Sequence, residues 1–360
     1  MKSSTAIIIG LILGLISSLG FLFIKDQGKP RSFSQAVKKA GPSVVNIFTH
    51  KSNYNPQREQ QNFFQKRIEK RLMKKKQLSL GSGIIVSPDG YIITSWHVID
   101  DADEIQIMLH NGTEANANLV GFDLDTDIAV LKTNLSHLKP IIMGKTKDLL
   151  VGDQVLAIGN PFGFGQSVSA GIVSAKGRYG LNKDVYENYI QTDASINIGS
   201  SGGALVNING DMVGMNTVIY AQTGHYSGIA LATPVEIVNK VVDDIIQKGE
   251  VERGWLGIQI SAIQSHQLIP NKPLQYQFII SQVFAGSPAA RAGFKVGDQL
   301  ISINHQAIEK IPRQLASISN KAAGDKLTII VRQNQKRKEL EVTLASLPQP
   351  KLRDRFLRPH

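Results

Sequence analysis

The sequence predicts a mostly β protein: a large barrel or sandwich domain followed by a small α+β module. Short apolar runs separated by Gly, Pro and Asn follow one another from Leu78 onward, which is typical of all-β domains. One helical pattern, at 234–247, closes this β-rich region, and a polar hinge follows at 250–254. Strands and short helices then alternate over residues 255–346, which predicts a separate module.

The composition is that of a globular chain with room for about two domains. Of its 360 residues, 42% are hydrophobic and 19% are charged. The chain has no cysteine, which excludes disulfides and thiolate metal sites. The formal charge of +11 is concentrated in two clusters, at 66–76 and 351–358, so we expect no nucleic-acid partner.

The N-terminus predicts a transmembrane segment. Residues 6–24 are uncharged and apolar, about the length that crosses a bilayer as a helix. A cleaved secretory signal is the alternative, but Ser17-Ser18-Leu19-Gly20 is a poor cleavage site and the apolar run continues past it. We therefore predict an uncleaved signal-anchor at 6–24 and a linker at 25–34.

The large domain is predicted to cover residues 35–250. A helix is expected at 33–40, and the predicted strands are 43–48, 83–86, 91–94, 105–109, 128–131, 154–158, 166–175, 204–208, 212–220 and 227–232. The basic stretch 53–77 has two interpretations: attraction to anionic lipid head groups, or a solvated insertion, which we favour.

The module is predicted to cover residues 251–346, and a disordered tail is predicted at 347–360. Its predicted strands are 256–260, 278–283, 299–303, 327–332 and 340–344, with helices at 287–292 and 311–322.

A hydroxyl framed by glycines lies in Gly199-Ser200-Ser201-Gly202-Gly203. Glycines let the backbone turn so that a serine is presented outward beside N–H groups, as acyl transfer through a serine nucleophile requires. The same pattern also occurs in ordinary glycine-rich turns, so a base and an orienting acid are needed elsewhere.

His97 follows one predicted strand, and Asp127 precedes another. Histidine accepts and returns a proton near neutral pH, and aspartate fixes its tautomer. Asp123 and Asp125 compete with Asp127, but Asp127 alone directly precedes the apolar strand. The order His97, Asp127, Ser201 is the chymotrypsin-type order.

Together with these motifs, three further stretches resemble HtrA-family serine proteases, and the single anchor and single module resemble the DegS type of that family. The stretches are Thr126-Asp127-Ile128-Ala129, 157–163 and 169–174, and the resemblance covers about residues 35–346. It implies a chymotrypsin-like pair of six-stranded β-barrels, with Ser201 as nucleophile, His97 as general base and acid, and Asp127 as its orienter. It also implies an oxyanion hole formed by the N–H groups of Gly199 and Ser201, and no metal or organic cofactor.

Three residues depart from the family pattern. Ser200 replaces an Asn, Ile198 replaces a polar or proline residue, and Trp96 replaces an Asn before the histidine. We hypothesise that Ile198 alters how the oxyanion loop switches and that Trp96 shapes the cleft beside His97.

The module resembles a PDZ domain, through the motifs at 287–293 and 297–304. In such a domain a hydrophobic C-terminus docks as an extra strand, which makes Leu256, Gly257 and Ile258 the expected peptide contacts. Arg178 occupies the place where related proteases carry an arginine that links loops, and we expect it to be a regulatory contact.

The resemblance implies an inner-membrane, periplasm-facing endoprotease that forms homotrimers. Its expected partners are C-terminal peptides at the PDZ domain and a protein substrate, either an anti-sigma factor or a misfolded envelope protein. The rivals are a non-catalytic chaperone or peptide-binding adaptor, and a protease for general quality control.

Overall fold

A computed structural model describes residues 32–50, 78–160, 165–178, 188–219, 228–264, 276–308 and 321–346, and the isolated positions 14 and 318. The described part of the chain contains no helix long and apolar enough to cross a membrane. The predicted anchor at 6–24 (position 14 apart), linker residues 25–31, nearly all of the basic stretch 53–77, most of the helix predicted at 311–322 and the tail 347–360 lie outside these residues.

Six strands form a first closed barrel with the neighbour order β1-β2-β3-β6-β5-β4. They are β1 (Val44–His50), β2 (Leu78–Ile85), β3 (Tyr91–Ser95), β4 (Glu104–Met108), β5 (Glu114–Asp123) and β6 (Ile128–Thr133). A short helix, α2 (Trp96–Ile99), follows β3.

A second closed barrel has the order β10-β11-β12-β9-β8-β7. Its strands are β7 (Gln154–Gly159), β8 (Ser167–Arg178), β9 (Tyr189–Thr192), β10 (Ala204–Asn207), β11 (Met212–Ile219) and β12 (Ala230–Pro234). The helix α1 (Ser34–Ala40) precedes β1. Its Lys39 Nζ lies 2.7 Å from the Oδ1 of Asp211, a residue between β10 and β11 of the second barrel.

The two barrels share a buried apolar interface, which explains the continuous apolar runs in their facing strands. In β6, Ala129 and Leu131 point into the first barrel, while Ile128 and Val130 join a cluster shared with the second barrel. Strand β7 alternates in the same way between the second barrel's core and that shared cluster. Strands buried on both faces do not show the alternation of half-exposed strands.

The helix α3 (Val235–Lys248) leaves the second barrel and returns to the first. Its buried face includes Val238, Val241 and Ile245, all members of the shared cluster. Gly121 of β5 lies so close to it that a Cβ there would be 2.8 Å from the Ile245 Cγ2. The helix therefore packs against both barrels.

The C-terminal module has its own apolar core around Ile280, Leu327 and Ile329. Its five-stranded path runs β14-β15-β16-β18-β19, with β17 paired to β16, and a separate pair joins β13 to β20. The elements are β13 (Gly254–Trp255), β14 (Ile258–Gln264), β15 (Tyr276–Val283), α4 (Pro288–Ala292), β16 (Gln299–Ile303), β17 (Gln306–Ala307), β18 (Lys326–Gln333), β19 (Lys336–Thr343) and β20 (Ala345–Ser346).

Within the described residues the predicted strands are present, with shifted ends. Two barrel strands, β5 and β9, were missed, as were the two-residue strands β13, β17 and β20. Neither β5 nor β9 shows an apolar run: β5 is mostly exposed or half-buried, and β9 has only four residues. The strand predicted at 256–260 begins later, at Ile258, because Leu256 and Gly257 connect β13 to β14, and it extends to Gln264. Strand β8 extends to Arg178 rather than ending near Ala175, and His97 follows β3 as predicted, within the short helix α2.

Candidate active site

The antiparallel pairing of β3 and β6 brings His97 and Asp127 together. Ser95, the last residue of β3, faces Ile128, the first of β6, so the residues just outside each strand are neighbours. The His97 Nδ1 lies 2.6 Å from the Asp127 Oδ2, and the His97 backbone N–H donates to the Asp127 Oδ1 at 2.9 Å. Trp96 N–H donates to the Asp127 carbonyl at 3.0 Å. This pair can orient an imidazole for proton transfer.

The Asp123 carboxylate holds the turn that carries Asp127. Thr126 donates to the Asp123 carboxylate through its backbone N–H at 3.2 Å and through its hydroxyl. The buried Arg253 guanidinium also binds Asp123, and its Nε lies 3.5 Å from the Asp125 Oδ2. Asp127 has a φ of 56°, a left-handed conformation that is unusual for a non-glycine residue. Asp123 and Asp125 thus contact Arg253, while Asp127 contacts His97.

Ser201 lies on a turn before β10, against the first barrel. Gly199 and Gly202 have φ values of 92° and 81°. A Cβ on Gly202 would overlap the Ser82 carbonyl, so the close approach of the two barrels requires glycine there. Within the described residues, the Gly199 and Ser201 N–H groups donate to no acceptor, whereas the intervening Ser200 N–H donates to the Asn197 carbonyl at 2.8 Å. This turn therefore carries two unengaged donors, the kind of group that can stabilise an oxyanion.

The Ser201 hydroxyl donates to the Thr217 carbonyl at 3.2 Å. It makes no hydrogen bond with the His97 ring in the described structure, where the ring bonds to Asp127. A hydrogen bond between the Ser201 hydroxyl and the His97 ring would require this hydroxyl to leave the Thr217 carbonyl. Such bonds are often long or absent before substrate binds.

Ser82 of β2 contacts this turn at two points. Its backbone N–H donates to the Ser201 carbonyl at 2.9 Å, and its hydroxyl donates to the Gly199 carbonyl at 2.7 Å. The same hydroxyl accepts the Asn160 N–H at 2.8 Å. Sequence reasoning missed Ser82, although glycines flanking a serine within a strand are a known sign of close backbone approach.

The structure shows the surroundings of Trp96 and Ile198, two of the residues that depart from the family pattern. The Trp96 indole stacks on the Phe122 ring of β5, with centroids 3.9 Å apart and planes inclined by 20°. Ile198 is 38% exposed and directly precedes Gly199 in the turn that carries Ser201. Trp96 thereby joins the helical turn of His97 to the strand that leads into the Asp127 turn.

Comparisons with known proteins agree with this geometry. A model of the trypsin-like peptidase domain matches residues 81–215, and a model of the PDZ domain matches residues 244–332. A probable periplasmic serine endoprotease, DegP-like, from Pseudomonas putida (strain W619) is 37% identical over 343 residues, 88% of this chain and 70% of that relative. The chain belongs to the HtrA family of serine endoproteases.

Solved structures extend the similarity to the whole described architecture. The HtrA-type protease AlgW with tripeptide matches with a TM-score of 0.74 and 36% identity, over 89% of this chain and 99% of that one. The serine endoprotease from Yersinia pestis matches with a TM-score of 0.66 and 33% identity, over 89% of this chain and 99% of that one. A DegP-like relative from Pseudomonas savastanoi pv. phaseolicola (strain 1448A / Race 6) is 43% identical over 75% of this chain, which spans 56% of the relative. This HtrA-family chain is therefore a serine endopeptidase with a PDZ domain.

The PDZ domain of this HtrA-family chain presents an open strand edge. Strand β14 lies at the end of the described sheet order. Just before it, the N–H groups of Leu256 and Gly257 donate to no acceptor in the described structure. The Leu256 side chain is buried in the module's core, so only its backbone is available to a peptide. Gly257 has a φ of 81°, and a Cβ there would overlap Ser287.

Arg178 ends β8 of the second barrel. Its Nε donates to the Gln191 Oε1 of β9 at 2.8 Å, and its side chain is exposed.

Within the described residues, no group of three or more His, Asp or Glu side chains could hold a metal ion.

Proposed function

We propose that this HtrA-family enzyme is a DegS-type protease: anchored in the bacterial inner membrane by residues 6–24, facing the periplasm, and activated through its PDZ domain. We place the protease domain at 35–250 and the PDZ domain at 251–346. The observation that carries the catalytic part is the bonded pair of His97 and Asp127, at the barrel ends that also present Ser201 and two unengaged N–H groups.

The proposed mechanism uses these groups in order. The Ser201 Oγ attacks the scissile carbonyl while its proton passes to the His97 Nε2, and Asp127 stabilises the imidazolium. The Gly199 and Ser201 N–H groups stabilise the oxyanion. His97 then protonates the leaving amine, and a water molecule, deprotonated by His97, hydrolyses the acyl-enzyme.

A fluorophosphonate probe tests the nucleophile. We expect covalent labelling of the full chain that is lost in Ser201→Ala and retained in Ser200→Ala, since the neighbouring hydroxyl is the matched control. Labelling that persists in Ser201→Ala would contradict the assignment.

Peptide activation is proposed from the geometry of the PDZ domain. The edge of β14, which pairs with no second strand among the described residues, can accept an extended peptide, and the Leu256 and Gly257 N–H groups can bind its terminal carboxylate. Two solved relatives are titled AlgW with tripeptide and AlgW with decapeptide, which supports peptide binding by proteins of this shape. A peptide activates only if it binds the active state more tightly than the inactive state.

The expected inputs are hydrophobic C-termini of misfolded envelope proteins, and the expected substrate is a membrane-spanning anti-sigma factor. Adding a hydrophobic peptide with a free C-terminus should raise the rate of peptide cleavage, and the same peptide with an amidated C-terminus should not. Equal rates with both peptides would contradict carboxylate recognition.

Two finer proposals rest on family resemblance. We propose a homotrimer, which sedimentation of the soluble region would test against a monomer. We also propose that Arg178 transmits the peptide signal: Arg178→Ala should keep basal activity and lose the response to peptide, and an unchanged response would remove this role.

General quality control is the second candidate function, favoured by the DegP-like names of the curated relatives. The products from an unfolded protein discriminate between the two. Many cuts without added peptide would indicate quality control, whereas cleavage confined to peptide-activated enzyme would indicate signalling.

A further inference from the structure

We propose that Ser82 is a positioning residue for the oxyanion hole. It lies on β2 of the first barrel and holds the catalytic turn, residues 199–203, which precedes β10 of the second barrel. The proposal rests on the proposed roles of Gly199 and Ser201. It adds a residue that lies outside the triad and outside the glycine-rich turn.

The contacts of Ser82 use all of its polar groups. Its side chain is fully buried, and its hydroxyl both accepts the Asn160 N–H and donates to the Gly199 carbonyl. Its N–H donates to the Ser201 carbonyl, and its own carbonyl accepts the Thr94 hydroxyl at 2.7 Å. Ser82 is therefore bonded to β3, to the end of β7 and to two points of the catalytic turn.

Hydrogen bonds hold three consecutive carbonyls of that turn, and Ser82 supplies the first and the third. The Gly199 carbonyl is held by the Ser82 hydroxyl, the Ser200 carbonyl by the Gly203 N–H at 3.0 Å, and the Ser201 carbonyl by the Ser82 N–H. Each fixed carbonyl fixes its peptide plane, because the peptide bond is planar. The Ser201 N–H lies in the plane of the Ser200 carbonyl, which the Gly203 N–H holds. The two Ser82 bonds hold the peptide planes on either side of it, one of which begins at Gly199.

Removing the Ser82 hydroxyl would leave two buried groups without partners. Asn160 and Gly199 are both buried, so the Asn160 N–H and the Gly199 carbonyl would have no access to bulk water. An unpaired buried polar group is costly, so the turn would shift to find new partners. A small shift of preorganised donors weakens stabilisation of the transition state while leaving substrate binding largely intact.

The test is Ser82→Ala in the full chain. Active sites are counted by fluorophosphonate labelling, and we expect kcat per active site to fall about 10- to 100-fold. This loss is smaller than the loss of about 100- to 1,000-fold that follows deletion of an oxyanion donor itself. KM should change less than about threefold, because the contacts that bind substrate in the protease cleft remain. Affinity for a peptide boronate, which forms a tetrahedral adduct with Ser201, should fall with kcat/KM, whereas inhibition by the cleaved product peptide should not change.

Ser43→Ala is the matched control. Ser43 is a buried serine of the same domain whose hydroxyl has no hydrogen-bond partner among the described residues, so its loss should leave kcat and boronate affinity unchanged. A kcat for Ser82→Ala within twofold of the parent enzyme would overturn the proposal. So would an equal loss in product-peptide affinity, which would indicate general distortion of the cleft.

A second variant covers failure of Ser82→Ala to fold. Ser82→Cys keeps the site filled with a weak donor, and we expect a kcat between those of the alanine variant and the parent. A cysteine variant with the parent's kcat would overturn the proposal. Labelling of Ser201→Ala, by contrast, reports only on the proposed nucleophile, so the two failures are distinguishable.

Discussion

A buried ion pair joins Arg253, just before the first strand of the PDZ domain, to Asp123, which holds the turn that carries Asp127. Removal of this pair should destabilise the barrels. The Arg253 side chain is 4% exposed and that of Asp123 is 8% exposed. Breaking a buried pair by deleting one partner costs about 3 to 5 kcal/mol. Thr126 still donates two hydrogen bonds to Asp123, so we expect Arg253→Met to cost about 3 kcal/mol, the lower end of that range.

The chain's two tryptophans make this measurement specific. Trp96 lies in the first barrel and Trp255 in the PDZ domain, so a Trp255→Phe background leaves Trp96 to report barrel unfolding in urea. A double-mutant cycle with Asp123→Asn should give a coupling of at least about 1.5 kcal/mol. Lys326→Met, which breaks an exposed pair with Glu341, is the control and should leave the barrel transition unchanged. Additive effects of the two substitutions, or a cost below about 1 kcal/mol for Arg253→Met, would refute the reasoning.

Four further predictions can be checked independently. Trp96→Ala removes the stack on Phe122 and should cost about 2 kcal/mol of barrel stability and lower kcat, whereas Trp96→Phe should keep most of both; indistinguishable variants would contradict this. Ile198→Pro restricts the backbone beside Gly199 and should raise the basal cleavage rate, so equal rates would count against a switching role. Gly257→Ala forces a Cβ against Ser287 and should lower the affinity for a hydrophobic C-terminal peptide at least tenfold by calorimetry, while an unchanged affinity would exclude this peptide site. Burial raises the pKa of Asp244, but hydrogen bonds and charges from two lysines outweigh it and hold that pKa below its ordinary value. Its contribution to stability is therefore present above the ordinary carboxyl pKa and lost as the pH falls through the lowered value, so Asp244→Asn should flatten the acid dependence of unfolding below about pH 4.

The sequence predicts those parts of the fold that carry a strong local pattern. Strand β6 was predicted because Ile128–Leu131 is a continuous apolar run, and α3 because its apolar residues recur at helical spacing. Strand β5 was missed because Glu114–Asp123 places most of its side chains at the surface, and its partners on β4 and β6 supply the order that its own residues do not specify.

The triad candidates were predictable because each has a residue type that acyl transfer requires and lies at a recognisable position in the sequence. Histidine and aspartate next to strand ends, followed by a serine among glycines, indicated His97, Asp127 and Ser201 as candidates. The positioning contacts were not predictable, because they join residues distant in sequence. Ser82 reads as an ordinary strand serine, and Arg253 reads as part of a polar hinge, yet one is fully buried and the other nearly so.

The return of α3 to the first barrel decides where this enzyme can be shortened. A chain that stops at Pro234 contains every barrel strand but lacks the helix that spans both halves, and it lacks the Arg253 anchor as well. A PDZ-free version should therefore keep residues through Gly254. During synthesis, likewise, this helix can join the interface only after all the strands of both barrels have emerged.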